Sequence, residues 1–369
     1  MLFRHSSFFN YIFIANLADK NPVGFYQQDS LNTYEVKRTS LFPSLKVMKN
    51  TKRIALNMLG LPAIQTIDDF SILTHISKYT IYQLSFNAAK YYKTYNVKKK
   101  SGKQRTISQP SRKLKGLQSW ILVHILNKVK VSGSCKGFEK NSSTLDNALP
   151  HKGTTTILSL DLKDFFPSIT RKQIYNIFKT LGYNSNISTL LTNICTFVNA
   201  LPQGSPCSPK LANLVTWRLD LRIQGYVGKR GINYTRYADD LTFSGLRPAK
   251  VVKILPMVKS IIKNENFEIN NAKTRIAGPS RAKTVTGLVI SGDQIGIGKK
   301  KYKKLRSKIH HLTLANEQEN KKLLYEVCGW ISYLNSVDQK RLTKAKKYIH
   351  ELLKKYPKTL IAELYQRTT

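Results

Sequence analysis

The chain has 369 residues, with 61 Lys and Arg against 21 Asp and Glu, a formal charge of +40 and 41% apolar residues. That length and apolar content exclude a small stapled peptide and predict two or three folding units with a sizeable core. Positive charge this lopsided, spread along the whole chain, repels itself unless a polyanion relieves it, which favours a nucleic-acid partner over a basic face kept only for solubility.

Residues 1–47 differ from the rest, with little periodicity, many aromatics and turn residues such as Pro22 and Pro43. Their start, FFNYIFIANLA, faintly resembles the apolar core of a signal peptide, but only Arg4 and His5 precede it. A docking segment or a short core helix is the preferred reading, and the extension is given no role. No stretch reaches the ~20 apolar residues needed to cross a bilayer, so no membrane partner is expected. Cys135, Cys195, Cys207 and Cys328 fit no zinc spacing and read as free thiols in a reducing compartment, the cytoplasm.

From Met48 to about residue 90 the apolar spacing is helical (Ile67, Phe70, Ile72, Leu73, Ile76), with Asp68 and Asp69 near a helix start. YYKTYNVKKKSGKQRTISQPS then reads as a basic hairpin turning at Ser101-Gly102. Lys103, Arg105, Arg112 and Lys115 on or just past it suit a triphosphate or a template backbone, with a solvated charged face as the alternative. Residues 113–130 are expected to be helical, as are 171–182, 186–198 and 208–223.

Between these helices lie two acidic segments. In ILSLDLKDFFPSI an apolar strand carries Asp161 and breaks at Pro167. In RYADDLTFSG, Asp239 and Asp240 sit at the expected tip of a hairpin between two short β-prone stretches. Side-by-side carboxylates repel unless cations bind there. One acid on a strand and two on a neighbouring hairpin make the set for two divalent metals about 3.5–4 Å apart, suited to in-line attack of a hydroxyl on a phosphate. Asp161 would bridge both ions, with the Leu162 backbone carbonyl supplying a further oxygen. A turn or cap role is the commoner use of any single aspartate, yet a lone carboxylate after ILSL in a buried strand is expensive. Asp164, Phe165 and Phe166 follow at fixed distances. The aromatics can wall off the sugar of an incoming nucleotide, Phe166 lying under C2′ and leaving no room for a 2′-hydroxyl.

Asn199 to Pro209, NALPQGSPCSP, is a rigid loop opening a helix, in which Gln203 and the close approach allowed by Gly204 suit a nascent base pair. A proline-rich turn with Ser208 as N-cap is the other reading. Residues 249–265 are an amphipathic basic helix, NFEINNAKTRI a strand followed by a turn, and VTGLVIS with DQIGIG a second hairpin. Lys273 is placed to protonate a leaving pyrophosphate, or is a surface lysine. KKKYKKLRSKIHH from Lys299 starts a helical tail whose Lys299, Lys300, Lys303, Lys304 and Arg306 suit phosphates of an A-form duplex. Together these elements describe an α+β right-hand polymerase: fingers over 48–150, an antiparallel palm with finger elements interleaved over 151–280, a hairpin over 281–298 and a basic helical thumb over 299–369.

RYADD, the Asp161 stretch, LPQGSPCSP and NAKT resemble, in order and spacing, the palm motifs of reverse transcriptases. Asn147-Ala148-Leu149-Pro150-His151 resembles the NAxxH signature, and Val285-Thr286-Gly287 the VTG signature, of the bacterial retron branch. The resemblance runs from about Met48 to GWISYLNSVD in the thumb and leaves residues 1–47 uncovered. It implies an RNA-directed DNA polymerase using two Mg²⁺ ions, with Mn²⁺ as a substitute, and deoxynucleoside triphosphates. It further implies synthesis primed from the 2′-hydroxyl of an internal guanosine in one cognate structured RNA. The product is then a branched RNA–DNA, multicopy single-stranded DNA, and an effector protein from the same locus acts with it in anti-phage defence. Asn147, His151, Val285, Thr286 and Gly287 are expected to hold that RNA, although a buried structural role for His151 stands equally open. A group II intron protein, which carries further domains after the thumb, and a silent RNA-binding scaffold, which would lose a carboxylate, are the competing readings.

Overall fold

The computed structural model describes residues 53–98, 102, 104–314 and 317–368. The expectations for residues 1–47 and for Lys103 fall outside them. Contacts divide the chain into two compact units, one from residues up to Lys130 with Ile169–Val215, the other from Val131–Ser168 with Thr216–Thr369.

In the first unit, the helical run expected over 48–90 is three helices, over 53–58, Ile67–Thr74 and Lys78–Phe86. Gly60 and His75, both in the left-handed region, interrupt it. Asp69 starts the second helix as expected, in a capping box with Thr66. Strands β1 (Tyr92–Lys98) and β2 (Gln104–Pro110) pair antiparallel, with Lys98 opposite Gln104. Ser111 caps the helix Arg112–His124. The helices Arg171–Thr180, Ser185–Cys195 and Ser208–Val215 complete the unit, and Phe70, Ile81, Leu117, Ile121, Phe178 and Leu191 are among its buried core.

The second unit is built on a four-stranded antiparallel sheet in the order β4-β5-β3-β6. Its strands are β3 (Thr156–Asp161), β4 (Asn233–Tyr237), β5 (Asp240–Gly245) and β6 (Arg275–Ala277). All of β3 except Ser159 is buried, which explains its near-continuous apolar run. The helical stretch expected over 208–223 breaks at Thr216, and the helix Trp217–Gly228 belongs to this unit. Within NFEINNAKTRI the order is the reverse of that expected: Ile269 makes only an isolated bridge to Leu162, a turn follows, and the strand comes last as β6.

The expected second hairpin is a three-stranded sheet, β7 (Lys283–Val285), β8 (Leu288–Ser291) and β9 (Gln294–Gly296), with Thr286-Gly287 as the first turn. Four helices follow: Gly298–His311, Glu317–Val337, Gln339–Lys355 and Leu360–Thr368. Leu288 and Ile290 of the sheet join Leu305, Ile309, Leu334, Ile349 and Ile361 in one buried cluster. Residues 131–150, read as fingers in the sequence, pack with the second unit, and 169–215 pack with the first.

Candidate active site

The paired acids are brought together by strand register. β3 and β5 run antiparallel with Asp161 directly opposite Asp240, while β4 and β5 form the hairpin with Tyr237 opposite Asp240. Ala238 takes a φ of 58° to make the turn. Leu162 donates its backbone N–H to the Asp239 carbonyl at 2.9 Å. In extended chain the carbonyl of the same residue turns to the same edge, so the Leu162 oxygen faces the Asp239 side. On the other edge Asn270 donates its N–H to the Asp161 carbonyl at 2.8 Å, tying the Lys273 turn to the end of β3.

Asp161 is almost fully buried, and its Oδ2 accepts from the Lys273 ammonium at 2.6 Å. That hydrogen bond, above all, raises the Lys273 pKa. Asp240 keeps one side open to solvent, yet the protein packed behind it, together with the charges of Asp239 and Asp161, pushes its carboxyl up to about 6. Three carboxylates and a backbone carbonyl are hard oxygen donors of the kind that Mg²⁺ and Mn²⁺ take. Among the described residues, however, no group of three or more His, Cys, Asp or Glu side chains is gathered into a metal-holding cluster. The Lys273 ammonium sits on Asp161 where a cation belongs. By the hardness of its oxygen donors the set suits divalent metal, and the cation that the structure shows on Asp161 is the Lys273 ammonium.

The two neighbouring aromatics part company. Phe165 is buried, 5.5 Å from Phe166 and 6.1 Å from Phe267 between ring centroids, so it is a core residue and not a nucleotide wall. Phe166 is half-buried and remains available as the wall. Asp164 is exposed, in the left-handed region, and its carbonyl accepts from the Ser168 N–H. Phe138 was missed in the sequence. It is 46% exposed, has a φ of 62°, and its ring lies 6.2 Å from that of Phe166 and 6.4 Å from that of Tyr237. The sequence offers only Gly137 before it, and its meaning comes from the structure: a Cβ there would stand 2.6 Å from the Ala238 nitrogen.

In the first unit the structure joins three expected residues. Arg105 Nε donates to Gln203 Oε1 at 2.7 Å, and Ser108 donates its backbone N–H to the Gln203 carbonyl at 2.8 Å. Gly204 has a φ of 135°, and a Cβ there would meet the Ser108 carbonyl oxygen at 2.6 Å. The close approach that Gly204 allows is thus to the protein's own β2. Ser208 is the first helical residue, its hydroxyl donating to the Pro202 carbonyl at 2.7 Å. Arg112 opens its helix on the exposed surface, as does Lys115 one turn later.

The expected RNA-holding residues divide by burial. His151 is fully buried, its ring nitrogens hydrogen-bonded to the Ser244 and Thr235 hydroxyls at 2.7 and 2.8 Å, and burial pulls its pKa down to about 4. It is a neutral strut between β4 and β5, the structural alternative. Asn147 and Val285 are also buried, so direct RNA contact by these three is corrected to a packing role. The VTG turn meets the short helix Thr144–Ala148 that runs into NALPH: the Thr286 hydroxyl donates to the Thr144 carbonyl at 3.3 Å, while Lys301 donates to the Gly287 carbonyl at 2.7 Å. Thr286 is half-buried and Gly287 exposed. Lys299, Lys300, Lys303, Lys304 and Arg306 are all exposed on the helix Gly298–His311, whose Leu305 and Ile309 face the core.

Residues 97–318 match the family described as reverse transcriptase (RNA-dependent DNA polymerase). Retron Ec86 reverse transcriptase of Escherichia coli is 49% identical over 305 residues, 82% of this chain and 94% of that protein. Retron Mx65 and Mx162 reverse transcriptases of Myxococcus xanthus are 31% and 30% identical, over 78% and 68% of this chain and 73% and 59% of theirs.

Proposed function

The chain belongs to the reverse transcriptases, in their bacterial retron group, and on that premise we propose that it copies one structured RNA of its own locus into a DNA that stays joined to the RNA through a 2′-hydroxyl branch. As a retron reverse transcriptase it is an RNA-directed DNA polymerase with an α+β polymerase fold. The finer reading is that synthesis starts on the 2′-hydroxyl of an internal guanosine and yields multicopy single-stranded DNA in the cytoplasm. The RNA–DNA then serves, with an effector protein of the same locus, in anti-phage defence.

Asp161, Asp239, Asp240 and the Leu162 carbonyl would hold the divalent metal, Mg²⁺ or in its stead Mn²⁺. When bound, metal activates the attacking hydroxyl and neutralises charge on the leaving pyrophosphate. Phe166 excludes a ribose 2′-hydroxyl from the incoming nucleotide. Lys273, released from Asp161, delivers a proton toward pyrophosphate. Arg105 and Arg112 neutralise triphosphate, with Gln203 holding the Arg105 guanidinium until nucleotide takes it. The exposed lysines of the helix Gly298–His311, with Thr286 and Gly287, hold the RNA through phosphates and shape.

The observation that supports this reading most is the register of Asp161 opposite Asp240 in a chain so similar to retron enzymes. The test is to recover nucleic acid bound to the tagged protein from cells and sequence it with and without debranching. An RNA–DNA molecule resolved by debranching at a single guanosine is expected. Linear DNA, unchanged by debranching, would refute the priming mode.

A further inference from the structure

Beneath the turn that carries Asp239 and Asp240 lies a charged pair that the chemistry above does not use. Arg236 on β4 and Asp220 on the helix Trp217–Gly228 are both fully buried. The guanidinium forks onto the carboxylate, Nε to Oδ1 and Nη2 to Oδ2, each at 2.8 Å. The Tyr234 hydroxyl, two residues back on the same face of β4, donates to Asp220 Oδ1 at 2.8 Å. The remaining arm, Nη1, donates to the backbone carbonyl of Ala238 at 3.1 Å.

Ala238 is the residue that needs holding. Its φ of 58° is one that a residue with a Cβ adopts only at a cost, so the turn persists where its surroundings over-determine it. The outer edge of β4 is fixed as well. Arg236 donates its N–H to the Ser134 carbonyl at 2.8 Å, and its own carbonyl accepts from Lys136 N–H at 2.7 Å. Gly137 then lies against the Ala238 nitrogen, at a distance no other residue could take without shifting the turn.

Stability does not account for the ion pair. Two charges taken out of water are expensive, and an apolar pair of similar volume generally stabilises as well or better. What an apolar pair cannot do is grip a carboxylate and a turn carbonyl from one rigid plane. A lysine, with one nitrogen on a flexible stem, cannot do both either. We propose that Arg236, braced by Asp220, is a positioning residue that locks the left-handed Ala238 turn and so fixes Asp239 and Asp240 relative to Asp161. Removing the lock leaves the fold and the nucleic-acid surface in place and displaces the carboxylates that do the chemistry.

The test compares the full-length wild type with Arg236→Lys and with the double variant Arg236→Met/Asp220→Leu, all on a DNA primer annealed to an RNA template. It reads melting temperature, duplex affinity, kcat and KM for nucleotide, and the Mn²⁺ concentration that half-saturates the metal-induced rise in melting temperature. Both variants are expected to fold and to keep duplex affinity and nucleotide KM within about threefold of wild type. Their kcat should fall by about 100-fold, the scale of loss for an ångström-sized misplacement, and the half-saturating Mn²⁺ should rise. A variant that folds with kcat within about threefold of wild type overturns the proposal. So does a double variant that fails to fold, because the pair would then be structural.

Discussion

Asp240 holds the tension of the site in one side chain. Its carboxyl is pushed up to about 6 by burial and by Asp239 and Asp161, against about 3.9 in an unfolded chain. The folded, metal-free protein therefore binds more protons than the unfolded chain between about pH 4 and 6, and this contribution to stability falls as pH rises through that window. His151 acts with the opposite sign. Pulled down to about 4 by burial from about 6.5, it lets the unfolded chain bind more protons, so stability rises with pH across that interval. Asp240→Asn should consequently raise the melting temperature at pH 7 in chelator and steepen the rise of stability between about pH 4 and 6.5. Melts at four pH values check this, and an unchanged slope would contradict it. On the sugar-wall role proposed for Phe166, Phe166→Ala should raise ribonucleotide use relative to deoxynucleotides, read as the ratio of their kcat/KM values; buried Phe165 offers no substitute wall. The sequence placed the two phenylalanines side by side but could not divide them: which of two adjacent rings faces inward depends on the turn after β3, where Asp164 takes a left-handed φ. Asp161, by contrast, was legible, since a carboxylate closing an apolar strand is costly to bury unless a cation meets it there.

At the level of elements, the paired acids, the basic hairpin and the helices were readable because each carries its own periodicity and turn residues. The misplaced strand at Arg275–Ala277 was not, because it is three residues long and pairs with β3 far away in sequence. The contact between β2 and the Gln203 loop was equally hidden, since nothing local predicts that Gly204 faces the Ser108 carbonyl. It gives a sharp expectation. Gly204→Ala must relieve a 2.6 Å contact and a φ of 135°, so it should cost roughly 1–3 kcal/mol of stability. By moving Gln203 off Arg105 it should also raise the nucleotide KM more than it lowers kcat. Thermal melts and steady-state kinetics on the same preparation check both, and a variant with wild-type KM would separate the loop from nucleotide binding.

For the whole molecule, chain order and contact order disagree. The chain leaves the first unit at Lys130 and returns to it for Ile169–Val215, a path that linear reading of composition cannot show. The charge is clearer, because +40 on 369 residues leaves large basic surface beyond the few acids of the site. Replacing residues 280–369 by those of a related retron enzyme should redirect RNA choice. Affinity should fall steeply with salt, while preference for the matching RNA survives, because phosphate contacts are screened and shape is not. A chimera that kept its original preference would move RNA selection elsewhere in the chain. The central claim is that carboxylates on the β3–β5 register do the chemistry while the basic surface does the binding. It is tested most directly by measuring, for Asp239→Asn and Asp240→Asn in one preparation, RNA-templated nucleotide incorporation with Mg²⁺ and affinity for the primed RNA. Incorporation should fall by more than about 1000-fold with affinity unchanged within about threefold. Near wild-type incorporation in either variant would contradict the assignment.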